Sequence, residues 1–138
     1  MRGTSMPIDS ITYISTAATK IDGPVLDAIL VVSRRNNARD GLSGMLIYDG
    51  VRFLQYLEGA AFEIDAALTR IRADERHRGL VVLARKGIER RQFGEWAMAS
   101  RQTIGGESIA DAVVDMTRDC DPTVAAELVS FARLRDAA

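Results

Sequence analysis

A glutamine sits at the centre of the run Phe53-Leu54-Gln55-Tyr56-Leu57-Glu58-Gly59, which otherwise reads as a buried β-strand. On a strand Gln55 shares its face with Phe53 and Leu57. An unpartnered amide there costs about 1–3 kcal/mol, so a polar ligand or a second buried polar group is expected to meet it. Tyr13, an oxidisable phenol, stands on the apolar face of another strand-like run, Ile11 to Ser15. Two helical stretches carry further candidates: Ile29, Ser33 and Asn36 or Asn37 on the first, and Arg70, Ile71 and, at its C-terminal end, Asp74 and His77 on the second. Steps of three and four keep these groups on common helix faces, for Asp74 and His77 if the second helix continues that far. Apolar walls with amides and a cation suit a planar polar heteroaromatic, because Asn and Gln each present a donor and an acceptor to a ring edge that alternates carbonyl and N–H.

The elements that must position these groups follow from periodicity. Ile11 to Ser15 is rich in β-branched residues and predicts the first strand; residues 16–23 predict a loop. Pro24 suits a helix's first turn, and Val25 to about Asn37 continues an amphipathic face that begins apolar and ends in amides. Met45 to Tyr48, Asp49-Gly50 and Val51 to Leu57 form a hairpin signal in which Asp-Gly supplies positive φ. Ala61 to Arg72 carries the stripe Ile64, Leu68, Ile71 and predicts the second helix, and Leu80 to Leu83 the fourth strand. Trp96-Ala97-Met98-Ala99 is a candidate fifth strand, followed by helical stretches at Ile109 to Thr117 and Thr123 to Leu134 around Asp121-Pro122. The expected fold is α+β: a ferredoxin-like βαββαβ(β) sandwich with a five-stranded mixed sheet, two helices on one face and two C-terminal helices. A cleft between the first two helices then lies over the face that carries Tyr13 and Gln55.

Composition narrows the function classes. A chain of 138 residues forms one domain that buries roughly two-thirds of its unfolded surface. One cysteine, Cys120, and one histidine, His77, exclude an intrachain disulfide and leave no zinc cluster. A net charge of −1 without Lys or Arg blocks gives no footprint for nucleic acid or anionic membrane. No apolar run approaches the roughly 20 residues of a membrane span, and no signal peptide is apparent, so a cytoplasmic location is expected. Residues 1–5 read as an expression leader, 6–103 as the ligand-binding domain and 104–138 as a C-terminal helical extension.

Six blocks in order resemble the BLUF domains, sensors of blue light using flavin adenine dinucleotide. They are Tyr13-Ile14-Ser15, Ser33-Arg34-Arg35-Asn36-Asn37, Gly41-Leu42-Ser43-Gly44-Met45-Leu46, Phe53 to Gly59, Asp74-Glu75-Arg76-His77 and Phe93-Gly94-Glu95-Trp96-Ala97-Met98. The likeness covers roughly Ser10 to Ser100, and any one block alone is a weak signal. Its departures are conservative, such as Ser43 where Thr is frequent and Tyr56 at a variable position.

The resemblance implies FAD as cofactor, with FMN or riboflavin as alternatives because no glycine-rich dinucleotide fingerprint is present. By the same resemblance, Asn37 bonds the flavin's C4 carbonyl region and Asn36 helps hold the cofactor. Gln55 lies between Tyr13 and the ring, Arg70 contacts its pyrimidine side, Asp74 meets the ribityl region, and Ile29 and Ile71 pack on its two faces. His77 sits beside them, and Trp96 and Met98 belong to the signalling strand. The implied mechanism is electron transfer from Tyr13 to the light-excited flavin, a proton passing through Gln55, and an amide left rotated or tautomerised, with a red-shifted spectrum. No covalent bond to the cofactor forms, so the chain is expected to be a sensor and not an enzyme. With no room beyond the flavin domain for an output domain, the signal is expected to pass to a separate effector protein or through self-association as a dimer or larger oligomer.

Plainer readings stand beside these. Tyr13 alone is an ordinary core residue with a satisfied hydroxyl, His77 a helix-end or surface residue, and Trp96 and Met98 edge packing. Asn36-Asn37 can simply end a helix. Arg85-Lys86 and Arg90-Arg91 read as solvated charges. An acylphosphatase-type enzyme shares the βαββαβ plan, but it needs a phosphate cradle of N–H groups around an Arg after the first strand, and residues 16–23 hold one Gly and no Arg. A cofactor-free oligomerisation module is the other rival, suggested by the apolar faces of residues 107–135.

Overall fold

The computed structural model describes residues 7–19, 23–94, 97–103 and 106–137. Five strands and four helices follow in the order β1 (Ile8–Ala17), α1 (Gly23–Asp40), β2 (Ser43–Tyr48), β3 (Arg52–Gly59), α2 (Ala61–Ala73), β4 (His77–Ile88), β5 (Ala99–Gln102), α3 (Ile109–Met116) and α4 (Pro122–Ala137). The sheet runs β4-β1-β3-β2-β5. Only the β2–β5 pair is parallel, which makes the sheet mixed and its first four strands ferredoxin-like, as expected.

Strict alternation along β1, β2 and β3 sorts the core into two. Ile11, Tyr13, Leu46, Tyr48, Phe53 and Leu57 meet Leu26 and Leu30 of α1 and Ile64 and Ala67 of α2. Met45, Ile47, Leu54 and Tyr56 meet Ile109, Ala112 and Val113 of α3 and Leu128 and Ala132 of α4. The C-terminal helices therefore cover the second sheet face. Much of the apolar surface that the sequence offers for oligomerisation is buried within the chain, while Val114 and Leu134 stay exposed.

Several local expectations shift. The hairpin turns on Gly50 and Val51, since Asp49 N–H donates to the Arg52 carbonyl at 3.2 Å. Only Gly50 takes positive φ, at 101°, while the Asp49 carboxylate accepts from the Val51 and Arg52 N–H groups at 3.0 and 2.6 Å. The fifth strand begins at Ala99, the last residue of the Trp96–Ala99 segment expected to form it, and runs on to Gln102, because pairing with β2 starts at Met45↔Ala99. β4 is much longer than its apolar kernel and starts at His77, pairing with Ala17. Arg85, Lys86, Arg90 and Arg91 are exposed, as expected, and three of them also have partners: Arg85 bridges Asp9 and Asp65, Lys86 pairs with Glu127, and Arg91 donates to the carbonyls of Gly41 and Glu58 and to Ser43 Oγ. Residues 1–5, read as a leader, and Trp96 lie outside the described residues.

Long connections are fastened at both ends of the second layer. Arg135 of α4, held below its ordinary pKa by burial, donates to the Ser15 carbonyl at 2.5 Å and to Thr16 Oγ1 at 3.1 Å. The N-terminus of α3 is capped by Ser108 Oγ, and the Asp136 carboxylate accepts from the N–H groups of Ile109 and Ala110. Among the described residues no helix is long and apolar enough to cross a membrane, and no group of three or more His, Cys, Asp and Glu is placed to hold a metal.

Candidate functional site

Register places Tyr13 of β1 directly opposite Gln55 of β3. Both side chains point toward α1 and α2, and the Tyr13 hydroxyl donates to Gln55 Oε1. That bond orients the amide, so Nε2 faces the other way, where Met98 Sδ lies at 3.5 Å. Tyr13 is 2% exposed, and burial raises its pKa well above the ordinary phenol value. The phenol thus keeps its proton and has one side-chain acceptor for it, Gln55.

Above this pair opens a cleft of about 240 Å³ lined by Ile29, Ser33, Asn36 and Asn37 of α1, Arg70 and Ile71 of α2, and Gln55, Asp74 and Met98. Nine of the eleven residues expected at the cofactor or signalling positions and described in the structure therefore meet at one site. Tyr13 lies beneath, reached through Gln55. His77 does not line the cleft. α2 ends at Ala73 and does not carry His77 on its face; the residue instead begins β4, with its ring edge-on to Phe53 at 6.4 Å.

The rim is ionic. Arg70 pairs with Asp40 at 3.1 Å, from the end of α1. Asp74 pairs with Arg76 through several N–H···O contacts, and these hold its carboxyl below the usual range. Val32, Leu57, Ala67 and Arg76 also line the cleft. Sequence reasoning missed them, although Ala67 and Arg76 stand within three residues of Arg70 or Asp74 along the chain.

Asn37 has an additional task. It is buried, and its Nδ2 donates to the Ala97 carbonyl at 2.9 Å. One turn earlier, Arg34 donates to the Met98 carbonyl at 3.1 Å and to Ser100 Oγ at 2.6 Å. The two residues stand at i and i+3 on one helix face, and together they fasten to α1 the segment that sets Met98 on Gln55. Arg34 was not singled out from sequence; its spacing from Asn37 is the signal that could have found it.

The donor set fits a planar heteroaromatic with ring carbonyls. Gln55 Nε2 is a full-strength donor whose side-chain partner is a thioether, a weak acceptor, so a carbonyl oxygen brought into the cleft improves its bonding. Ile29 and Ile71 provide apolar walls on the two helices.

The sequence pattern of the BLUF family, sensors of blue-light using FAD, matches residues 8–99. The photoactivated adenylate cyclase subunit alpha of Euglena gracilis is 34% identical over 84 residues, 61% of this chain and 8% of that protein. Subunit beta of the Euglena longa enzyme is 32% identical over 94 residues, 67% of this chain and 11% of that one. The chain thus spans a small share of the length of these curated relatives. Among solved structures, the dark state of BlrB, a BLUF protein, superposes with a TM-score of 0.63 at 32% identity, covering 70% of this chain and 74% of BlrB. A bacterial light-regulated adenylyl cyclase gives 0.68 at 28% identity, covering 79% of this chain and 32% of the other. With residues 8–99 matched and the ferredoxin-like sheet shared with BlrB, this chain belongs to the BLUF family.

Proposed function

We propose that this chain is a blue-light photoreceptor whose switch is the Tyr13–Gln55 pair and whose lit state acts on a separate effector protein or a further copy of the chain. The observation that carries the reading is the orientation of one amide. Gln55 Oε1 accepts the hydrogen bond of the Tyr13 hydroxyl while Nε2 stands against Met98. When bound, a flavin supplies the light-driven oxidising power; FAD is the form in the family's description, with FMN and riboflavin as the alternatives.

The chain's own residues account for the rest. Tyr13 is the oxidisable group, and its proton leaves along the existing hydrogen bond to Gln55. An amide that accepts a proton at Oε1 becomes neutral again only by releasing one from Nε2, toward the flavin that would hold the Tyr13 electron. The resulting tautomer, or the amide turned over once proton and electron have returned to Tyr13, alters what Gln55 presents to the cleft. Both orientations occupy nearly the same volume, so the pair has two states of similar steric cost. Asn36, Asn37, Ser33 and Arg70 supply polar contacts along the ring edge, Ile29 and Ile71 hold its faces, and Asp74 stands at the rim. The cleft of about 240 Å³ lies below the roughly 300–1,000 Å³ of whole-ligand sites. It suits the ring end of a flavin, with the remainder projecting outward.

We read residues 6–103 as the sensing unit, a sensor and not a catalyst, acting in the cytoplasm. β5, β2's parallel neighbour, and the C-terminal helices form the coupling surface. The test is the visible absorption spectrum in darkness and after blue illumination. A flavin spectrum that shifts slightly to the red and reverts in the dark is expected. A colourless protein that also rejects added flavin overturns the reading.

A further inference from the structure

Glu58 lies three residues beyond Gln55 on β3 and is 0% exposed. It faces the opposite side of the sheet, with Leu54 and Tyr56. Four donors meet its two oxygens. Oε1 accepts from the Gln92 N–H at 2.7 Å and the Tyr56 hydroxyl at 3.2 Å; Oε2 accepts from the Phe93 N–H at 2.7 Å and the Ser43 hydroxyl at 2.7 Å. Arg91 adds a guanidinium at Ser43 Oγ, 3.0 Å away. A carboxylate wholly withdrawn from water, with two of its four donors supplied by consecutive N–H groups of one loop, is a specific fastening, because burying such a group is costly unless its lone pairs find donors.

The loop it fastens leads to the switch. Phe93 is buried in the core beneath α3 and α4, whereas Met98 is buried in the core beneath α1 and α2. Five residues of chain reach at most about 18 Å, so fixing Phe93 on the far face limits where Met98 can stand on the near face. α1 holds the other end through Ala97 and Met98.

We infer that Glu58 is a positioning residue for the photoactive amide: it anchors Gln92 and Phe93 on one sheet face and thereby sets Met98 against Gln55 on the other. The role rests on the photoreceptor reading above. Met98 must yield for the amide to turn, so a firm anchor raises the barrier between the two states. Gln92 extends the same anchor to the C-terminal layer, since its Oε1 accepts from the Asp121 N–H at 2.6 Å.

The test uses the flavin-loaded full chain carrying Glu58→Gln, which keeps the volume but turns one acceptor into a donor facing an N–H or a hydroxyl. Flavin content is expected to match the unsubstituted chain. Recovery from the lit state is expected to accelerate by about three- to tenfold, the effect of losing a fraction of one hydrogen bond from the barrier. Ser43→Ala, which removes one of the four donors, should accelerate recovery in the same direction by less, and decides the matter if Glu58→Gln does not fold. Leu128→Ala, a loss of packing in the same core at a residue that gives the carboxylate no hydrogen bond, should lower Tm and leave recovery unchanged. Equal acceleration in Leu128→Ala, or wild-type recovery in a folded Glu58→Gln, overturns the role while the photoreceptor reading stands. An unsubstituted chain with bound flavin and no reversible shift overturns both.

Discussion

The amide of Asn37 donates to the carbonyl of Ala97 at 2.9 Å, tying the last turns of α1 to the segment that delivers Met98. A residue whose type suggests ligand recognition is thus also a brace. The cleft and the chain leading into β5 share a wall, since Asn37 and Met98 both line the cleft. The same logic makes Gln55 a junction between Tyr13 and Met98, and each prediction below tests one of these ties.

Gln55→Leu keeps similar volume and removes both donor and acceptor. Flavin binding should survive and the red shift should vanish. Tyr13→Phe should likewise keep the cofactor and abolish the normal photocycle, since it removes the hydroxyl proton that Tyr13 donates to Gln55. Difference spectra before and after illumination decide; an unaltered red shift in either variant would falsify the assigned switch.

Arg34→Ala removes the bonds to the Met98 carbonyl and Ser100 Oγ, worth about 0.5–1.5 kcal/mol each. β5 has four residues at the sheet edge, so the loss should appear locally. Amide exchange at Ala99–Gln102 should quicken while the centre of β3 stays protected. Equal protection in both proteins would mean that Arg34 does not hold the strand.

Gly44 of β2 lies where a Cβ would stand 2.0 Å from the Tyr56 carbonyl oxygen. The obstruction is backbone, which cannot swing aside. Gly44→Ala should therefore cost at least about 3 kcal/mol, at or above the upper end for overpacking, and lower Tm by roughly 10 °C. A fall of only a degree or two would show that the two strands can separate cheaply.

The Cys120 thiol is pushed from 9.0 to about 11, first by burial and then by the Glu58 and Asp119 carboxylates. Unfolded, the thiol loses its proton first, so the folded state binds more protons in this window and stability falls as pH rises. The contribution is intact below pH 9.0 and has been lost by about pH 11. Cys120→Ala should show a shallower decline in Tm across that window than the unsubstituted chain. Parallel curves would exclude the thiol as a source of the alkaline loss.

Much of the fold was legible because periodicity reports burial directly. The alternation of Phe53, Gln55 and Leu57 against Leu54 and Tyr56 fixed the strand, and the three- and four-residue steps in 25–37 and 61–72 fixed the helices. His77 was misplaced because the end of α2 depends on where β4 finds a partner, and Ala17 extends that pairing back to His77. Arg91 is exposed, as expected, but its role in holding the loop was not legible. Its partners, the Gly41 and Glu58 carbonyls and Ser43, are far away in sequence, and no local pattern announces them.

By itself the sequence determined which residues share a face, that an amide is buried beside apolar neighbours, and which blocks place the chain in its family, since these depend on local spacing and side-chain type. Tertiary structure alone decided that Tyr13 stands opposite Gln55, that Met98 closes the amide's other side, and that Glu58 holds the incoming loop from the reverse of the sheet. Those relations arise from strand register and chain crossing, where pairing energy is summed over whole strands and any one residue's partner follows from the total.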